Sequence, residues 1–150
     1  FRKLQNLHYV TADLNSPLAD VKADICALPF EDNSFDVVIC NHVLEHIEND
    51  NKAMKELFRV IKAGGMGIFQ VPLDQERAVT YEDSNITAKK DRAEHFGQYD
   101  HVRVYGLDYF DRLSAAGFDV HRIDLTASMD VDLIERYALV KGELLPVCFK

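Results

Sequence analysis

Asp13 and Asp24 each follow a short run of β-forming residues, and Asn41-His42 follow a third, strongly apolar run. A carboxylate at a strand end can accept two hydrogen bonds from a ribose diol. A second one, Asp24, can accept from an exocyclic amine such as that of adenine. Either aspartate can equally begin a turn, which is a common use of Asp. Asn41 and His42 can hold a polar ligand tail; His42 and His46 can equally be histidines on a helix surface. A second concentration of chemistry lies at 95–106, where HFGQYDHVRVYG packs two histidines, an arginine, two tyrosines and a glutamine into twelve positions. His101, and after it His95, can serve as a general base. Arg103 can grip a carboxylate or phosphate with its planar fork. Gln98, Tyr99 and Tyr105 would complete a binding surface on a long loop. The plainer alternative pairs Arg103 with Asp100 or Glu94 and leaves the histidines at a loop rim. The spacing of Asp, Glu and His matches no zinc-helix motif, and no metal is expected.

The elements that must position these residues alternate along the chain. Residues 7–12 read as a strand ending in the turn residues Asp13, Asn15 and Pro17, and 21–25 as a second, short one. Residues 35–40, FDVVIC, form an unalternating apolar run, as in a parallel strand covered on both faces. A helix follows, with Asn49 or Asp50 as its cap, an apolar stripe through Ala53, Leu57 and Ile61, and Gly64-Gly65 as its left-handed stop. Residues 66–71 read as a buried strand closed by Pro72. From 74 to 106 periodicity is lost, which marks an insertion and a substrate-facing loop or lid. Then come a helix from Tyr109 to Ala116 capped by Asp108, a strand at 120–125, a helix at 130–139 and a strand at 144–149. Pro146 predicts an edge position or a bulge for that last strand. This order implies one α/β domain: an open, mostly parallel, Rossmann-like sheet with helices on both faces. Ligands of such sheets bind beyond the carboxyl ends of the strands, which is where Asp13, Asp24 and Asn41-His42 fall.

Composition narrows the function classes. The chain has 150 residues, 47% of them apolar, enough for one core. Seventeen basic and 25 acidic residues give a net charge of −8. That balance argues against phosphate-backbone binding and against docking on anionic lipid, so neither nucleic acid nor membrane is an expected partner. Cys26, Cys40 and Cys148 are odd in number, far apart and without a C-x-x-C, as befits free thiols in a reducing compartment; the expected location is the cytoplasm.

The run from Asp24 to Gly65 carries a resemblance. Asp24-Ile25 with Leu28-Pro29-Phe30, Ser34-Phe35-Asp36-Val37-Val38, Val43-Leu44-Glu45-His46, and Glu56-Leu57 with Arg59-Val60, Lys62 and Gly64-Gly65 stand in one order. With the strand Ile68-Phe69-Gln70-Val71-Pro72 and the later Leu113, Ala116-Gly117-Phe118, this order resembles class I S-adenosylmethionine-dependent methyltransferases, most of all their small-molecule branch. The resemblance implies S-adenosylmethionine as cofactor and a small-molecule methyl acceptor. It implies Asp13, with Leu14, on the cofactor ribose. Asp24 would reach the adenine amine, Ile25 and Cys26 would lie beside the ring, and Asn41 and His42 along the methionine part. It also implies a seven-stranded sheet whose last strand is antiparallel, a slot that suits 144–149. One departure is large: the family's first strand, glycine-rich turn and following helix have no counterpart before Leu7. They are expected upstream of Phe1, with 1–6 as the tail of a helix or loop. Two rival readings are a catalytically silent module that kept the sheet, and a nicotinamide-dependent oxidoreductase on a similar sheet.

Overall fold

The computed structural model describes residues 7–150; the helix tail or loop expected at 1–6 lies outside them. Two short strands open the fold, β1 (Ala12–Asp13) and β2 (Val21–Lys22), paired in parallel with Ala12 opposite Val21. The strand expected over 7–12 is confined to its end. Only two residues face a partner strand, and residues 7–11 remain exposed and without ladder pairs among the described residues.

Next come β3 (Phe35–Ile39), a 3₁₀ turn (Leu44–His46), α1 (Asp50–Val60) and β4 (Ile61–Ile68). Asn49 caps α1 by accepting from the Lys52 amide at 3.0 Å, an interaction whose loss usually costs about 1 kcal/mol. Ala53, Met54, Leu57 and Val60 are buried along one face of α1, and each large apolar side chain so buried contributes about 1.5–3 kcal/mol. Gly64 does not end α1, contrary to expectation. The helix ends at Val60, and Ile61 is already extended. Gly64, at φ +77°, belongs instead to a bulge in β4, where the register moves from Phe35↔Ile61 to Val37↔Met66.

The expected loop at 74–106 carries three short regular elements. It contains β5 (Tyr81–Glu82), α2 (Lys89–Phe96) and β6 (Arg103–Val104), with β5 and β6 paired antiparallel. These elements are too short and too polar to leave a periodic pattern. The chain closes with α3 (Tyr109–Ala115), β7 (Asp119–Asp124), a 3₁₀ turn (Leu125–Ser128), α4 (Val131–Arg136) and β8 (Leu144–Phe149). Asp108 precedes α3 but does not cap it; its Oδ1 accepts from the Thr80 amide (2.7 Å) and hydroxyl (2.6 Å), tying the 74–106 segment to α3.

The main sheet has the order β3-β4-β8-β7. β3 and β4 are parallel, while β8 runs antiparallel to both β4 and β7. Three strands therefore share one direction, and the C-terminal strand is the reversed one, as expected. Its place is not at an edge, however, despite Pro146. The register Ile68↔Val147 puts Pro146 opposite Phe69, just past the end of the β4 ladder. The Phe69 amide donates to the Pro146 carbonyl at 3.5 Å. Proline cannot return that bond. The Phe69 carbonyl instead accepts from the buried Tyr109 hydroxyl at 2.6 Å. A side chain from α3 thus replaces the missing donor and lets proline sit in an interior strand.

The core gathers Leu44, Leu57, Ile61, Phe69, Tyr105 and Tyr109 with their neighbours. Expected burial on both faces of β3 does not hold: Val37 and Ile39 are each 51% exposed. Among the described residues that face lines a cleft.

Candidate functional site

The carboxyl ends of β1, β2 and β3 open into one cleft of about 400 Å³. Five of the seven expected cofactor residues line it: Asp13, Leu14, Asp24, Ile25 and Asn41. Its apolar walls are Val37, Ile39, Val43 and Ile47, together with Leu28 and Phe30. The facing edges of β1 and β3 frame it, since β1 pairs only with β2, and β3 only with β4, among the described residues.

Each polar group in the cleft is held by the turn that follows its strand. Asp13 Oδ1 accepts from the amides of Asn15 (2.7 Å) and Ser16 (2.6 Å). These donors hold its carboxyl below the usual carboxylate range. The turn reading and the binding reading are therefore compatible, because Oδ2 takes no part in that turn. Asp24 Oδ1 accepts from the Cys26 amide at 2.8 Å. Asn41 Oδ1 accepts from the Gln70 amide at 3.2 Å, fixing its side chain across the β3–β4 seam. Cys26 and His42 do not line the cleft. Cys26 Sγ turns to the Asn49 carbonyl at 3.6 Å. His42, at φ +55°, turns its Nδ1 to Glu45 Oε1 at 3.6 Å. Cys40 does line it; burial pushes that thiol up to about 12, so it packs as a neutral apolar group.

The 95–106 segment divides. His95 sits on α2 with its Nδ1 2.8 Å from the Tyr81 hydroxyl, and it does not line the cleft. Gln98 donates to Asp100 at 2.8 Å, and Tyr99 is exposed under the Lys89 ammonium. Neither lines the cleft. Arg103, expected as an anchor for an anionic substrate, is 3% exposed. It donates to Glu82 at 2.8 Å and to the carbonyls of Leu44, Ile47 and Glu48. Its charge is compensated inside the protein, so the anchor role is corrected to a structural one. Tyr105 is likewise buried, donating to Asp50 Oδ2 at 2.9 Å, and burial raises its phenol far above the ordinary range. It is a core residue and not a substrate contact.

His101 alone of the expected catalytic pair reaches the turn after β3. Its ring packs edge-on against His46 at 4.7 Å, and the next amide, Val102, donates to the Glu45 carbonyl at 2.9 Å. Glu45, which the sequence offers only as part of the Val43-Leu44-Glu45-His46 run and without a role of its own, is 2% exposed. The signal was faint, since a glutamate in a helix-like run reads as surface.

A second, more polar cleft of about 500 Å³ opens between Glu48, Glu82, Asp83, Arg92 and Arg103. Its ionic groups are largely engaged: Arg92 lies 3.8 Å from Glu48, and Glu82 bridges Arg103 and Arg112 at 2.8 Å each.

Comparison with known proteins bears on the first cleft. The family described as "Methyltransferase domain" matches residues 3–69, the stretch that builds it. The ubiquinone/menaquinone biosynthesis C-methyltransferase UbiE of Pasteurella multocida is 43% identical over 63 residues, which cover 42% of this chain and 22% of that protein. The sterol 24-C-methyltransferase erg6 of Schizosaccharomyces pombe is 28% identical over 138 residues, covering 89% of this chain and 35% of that protein. The chain thus spans about a third or less of the length of these relatives. Among solved structures, an S-adenosylmethionine-dependent methyltransferase from Mesorhizobium loti superimposes with a TM-score of 0.56 at 15% identity, over 91% of this chain and 76% of that one. At that identity the likeness speaks to the fold.

Proposed function

We propose that the protein is a class I S-adenosylmethionine-dependent methyltransferase and transfers a methyl group from S-adenosylmethionine to a small-molecule acceptor. One observation carries the reading: the ends of β1, β2 and β3 bring Asp13, Asp24 and Asn41 to a single apolar-walled cleft. The residues present fit the nucleoside half of that cofactor. Asp13 offers the carboxylate that a vicinal diol requires. Asp24 offers an acceptor for an amine, and Ile25, Leu28 and Phe30 offer an apolar bed for a purine. When bound, the cofactor supplies an electrophilic methyl group on a sulfonium. The chain's task is to orient that group against the acceptor and to exclude water, and such positioning supplies several kcal/mol of barrier lowering. Two relatives named for quinone and sterol methylation support a small-molecule acceptor.

The cleft also supports the proposal that the family's first strand and glycine-rich turn, expected before Leu7, seat between β1 and β3. A strand there would pair both facing edges and cover Val37 and Ile39.

Calorimetric titration with S-adenosylmethionine tests both statements. The natural full-length protein should bind. Asp13→Ala should weaken binding by about 1.5–3 kcal/mol, the range for hydrogen bonds to a charged group. Residues 1–150 alone should bind more weakly than the full-length protein. Unchanged affinity in a folded Asp13→Ala variant removes the ribose assignment. Equal affinity of the short and full chains removes the inserted strand.

A further inference from the structure

Glu45, His46 and His101 each offer a donor atom, and these atoms all lie within 4.8 Å of one another. Glu45 and His46 come from the 3₁₀ turn after β3, and His101 from the segment leading into β6. Two independent observations set this group apart from an ordinary polar cluster.

The first is an orphan. Glu45 is 2% exposed, and its Oε2 has no hydrogen-bond partner. Its nearest cationic candidates are His42 Nδ1 at 3.6 Å and His46 Nε2 at 4.0 Å from Oε1, both beyond a hydrogen bond. A buried carboxylate left so is costly, and native proteins pair such a group or use it to coordinate a metal.

The second is the way the imidazoles are held. His46 Nδ1 faces the Asp100 carbonyl at 3.3 Å, and His101 Nδ1 faces the Phe96 carbonyl at 3.2 Å. A carbonyl only accepts, so each contact assigns the proton to Nδ1 and leaves Nε2 with its lone pair. Metal-ligating histidines are prepared in this manner, with the far ring nitrogen donating to a backbone carbonyl.

We propose that Glu45, His46 and His101 form a binding site for a divalent transition-metal ion, with zinc the best match to two imidazoles and one carboxylate. Three protein donors leave a further coordination position for water or for an oxygen of another ligand, as in catalytic and not in closed structural sites. His101 then acts as a ligand, and a general base is not needed from it. Arg103 is a positioning residue for this site, because its bonds to the Leu44, Ile47 and Glu48 carbonyls hold the turn that presents Glu45 and His46. The site was not legible in the sequence because its donors come from two segments brought together only by the β6 side of the fold.

The test needs neither methyl acceptor nor cofactor, so its failure is separate from that of the proposed methyl transfer. Full-length protein freed of metal by a chelator is titrated with Zn²⁺ by calorimetry, and the stoichiometry is checked by elemental analysis. The wild type should take up one ion per chain. Glu45→Gln and His101→Ala should each weaken binding at least 100-fold, while His121→Ala, at the exposed pair with Asp119 on β7, should bind as the wild type does. If Glu45→Gln does not fold, His101→Ala at a partly buried position still decides. Absence of stoichiometric uptake by the wild type, or wild-type affinity in His101→Ala, overturns the site.

Discussion

Arg59 shows how much of the cleft wall one side chain can hold. From α1 it donates to Glu56 at 2.8 Å, to Asp32 at 2.8 Å and to the carbonyls of Phe30 (2.7 Å) and Leu28 (3.0 Å). Glu56 in turn accepts from the Leu28 amide at 2.8 Å. The loop carrying Leu28 and Phe30 is thereby clamped to α1. The side-chain hydrogen bonds from Arg59 hold the Glu56 carboxyl below its ordinary value of 4.5. In this range the unfolded chain binds the proton more readily than the folded one, so stability rises with pH. The contribution of Glu56 should be complete above about pH 4.5 and lost as pH falls through the depressed folded value. Thermal unfolding between pH 6 and 3 should show a shallower loss in Glu56→Gln than in the wild type. An identical pH slope would detach Glu56 from acid stability. Residues of this kind are half legible in sequence: Asp13 and Asp24 announce themselves by following strands, whereas the bonds from Arg59 to Asp32 and to the Leu28 and Phe30 carbonyls, and the burial of Glu45, arise only from tertiary contacts.

At the scale of elements, the informative failures have local physical causes. Pro146 argued for an edge strand because a ladder donor is missing. The fold keeps β8 inside the sheet by borrowing the Tyr109 hydroxyl for the Phe69 carbonyl. Tyr109→Phe should therefore leave a buried carbonyl unpaired and cost about 1–3 kcal/mol. In a Pro146→Ala background the strand regains an N–H that can serve Phe69, and the cost should shrink. A double-mutant cycle by denaturant unfolding reads the difference as a coupling energy. Zero coupling would show that Tyr109 and Pro146 act independently. The 74–106 segment taught a similar lesson. Its loss of periodicity reflected elements of two to eight residues, which are too short to print a pattern. What orders them is Asp108 holding Thr80, and Arg103 and Arg112 holding Glu82. None of these pairings is visible from spacing.

For the whole molecule, the alternation of strands and helices was enough to point to the carboxyl edge of an α/β sheet, where the cleft lies. The position of Asp13, Asp24 and Asn41 on one cleft follows from that order, whereas the reversed last strand was implied by the family resemblance alone. The division of the 95–106 cluster did not follow from it. A histidine, an arginine and a tyrosine close in sequence were sent respectively to the turn after β3, to a buried ion-pair network and to the core. The proposed cofactor site is the cleft, and mapping of S-adenosylhomocysteine binding by amide chemical shifts on the full-length protein tests it most directly. The largest shifts should fall at Leu14, Ile25, Asn41 and Val43, with α4 and the Leu125–Ser128 turn unmoved. Shifts confined to the polar cleft around Glu82, Asp83 and Arg92, or no shifts at saturating ligand, would contradict it.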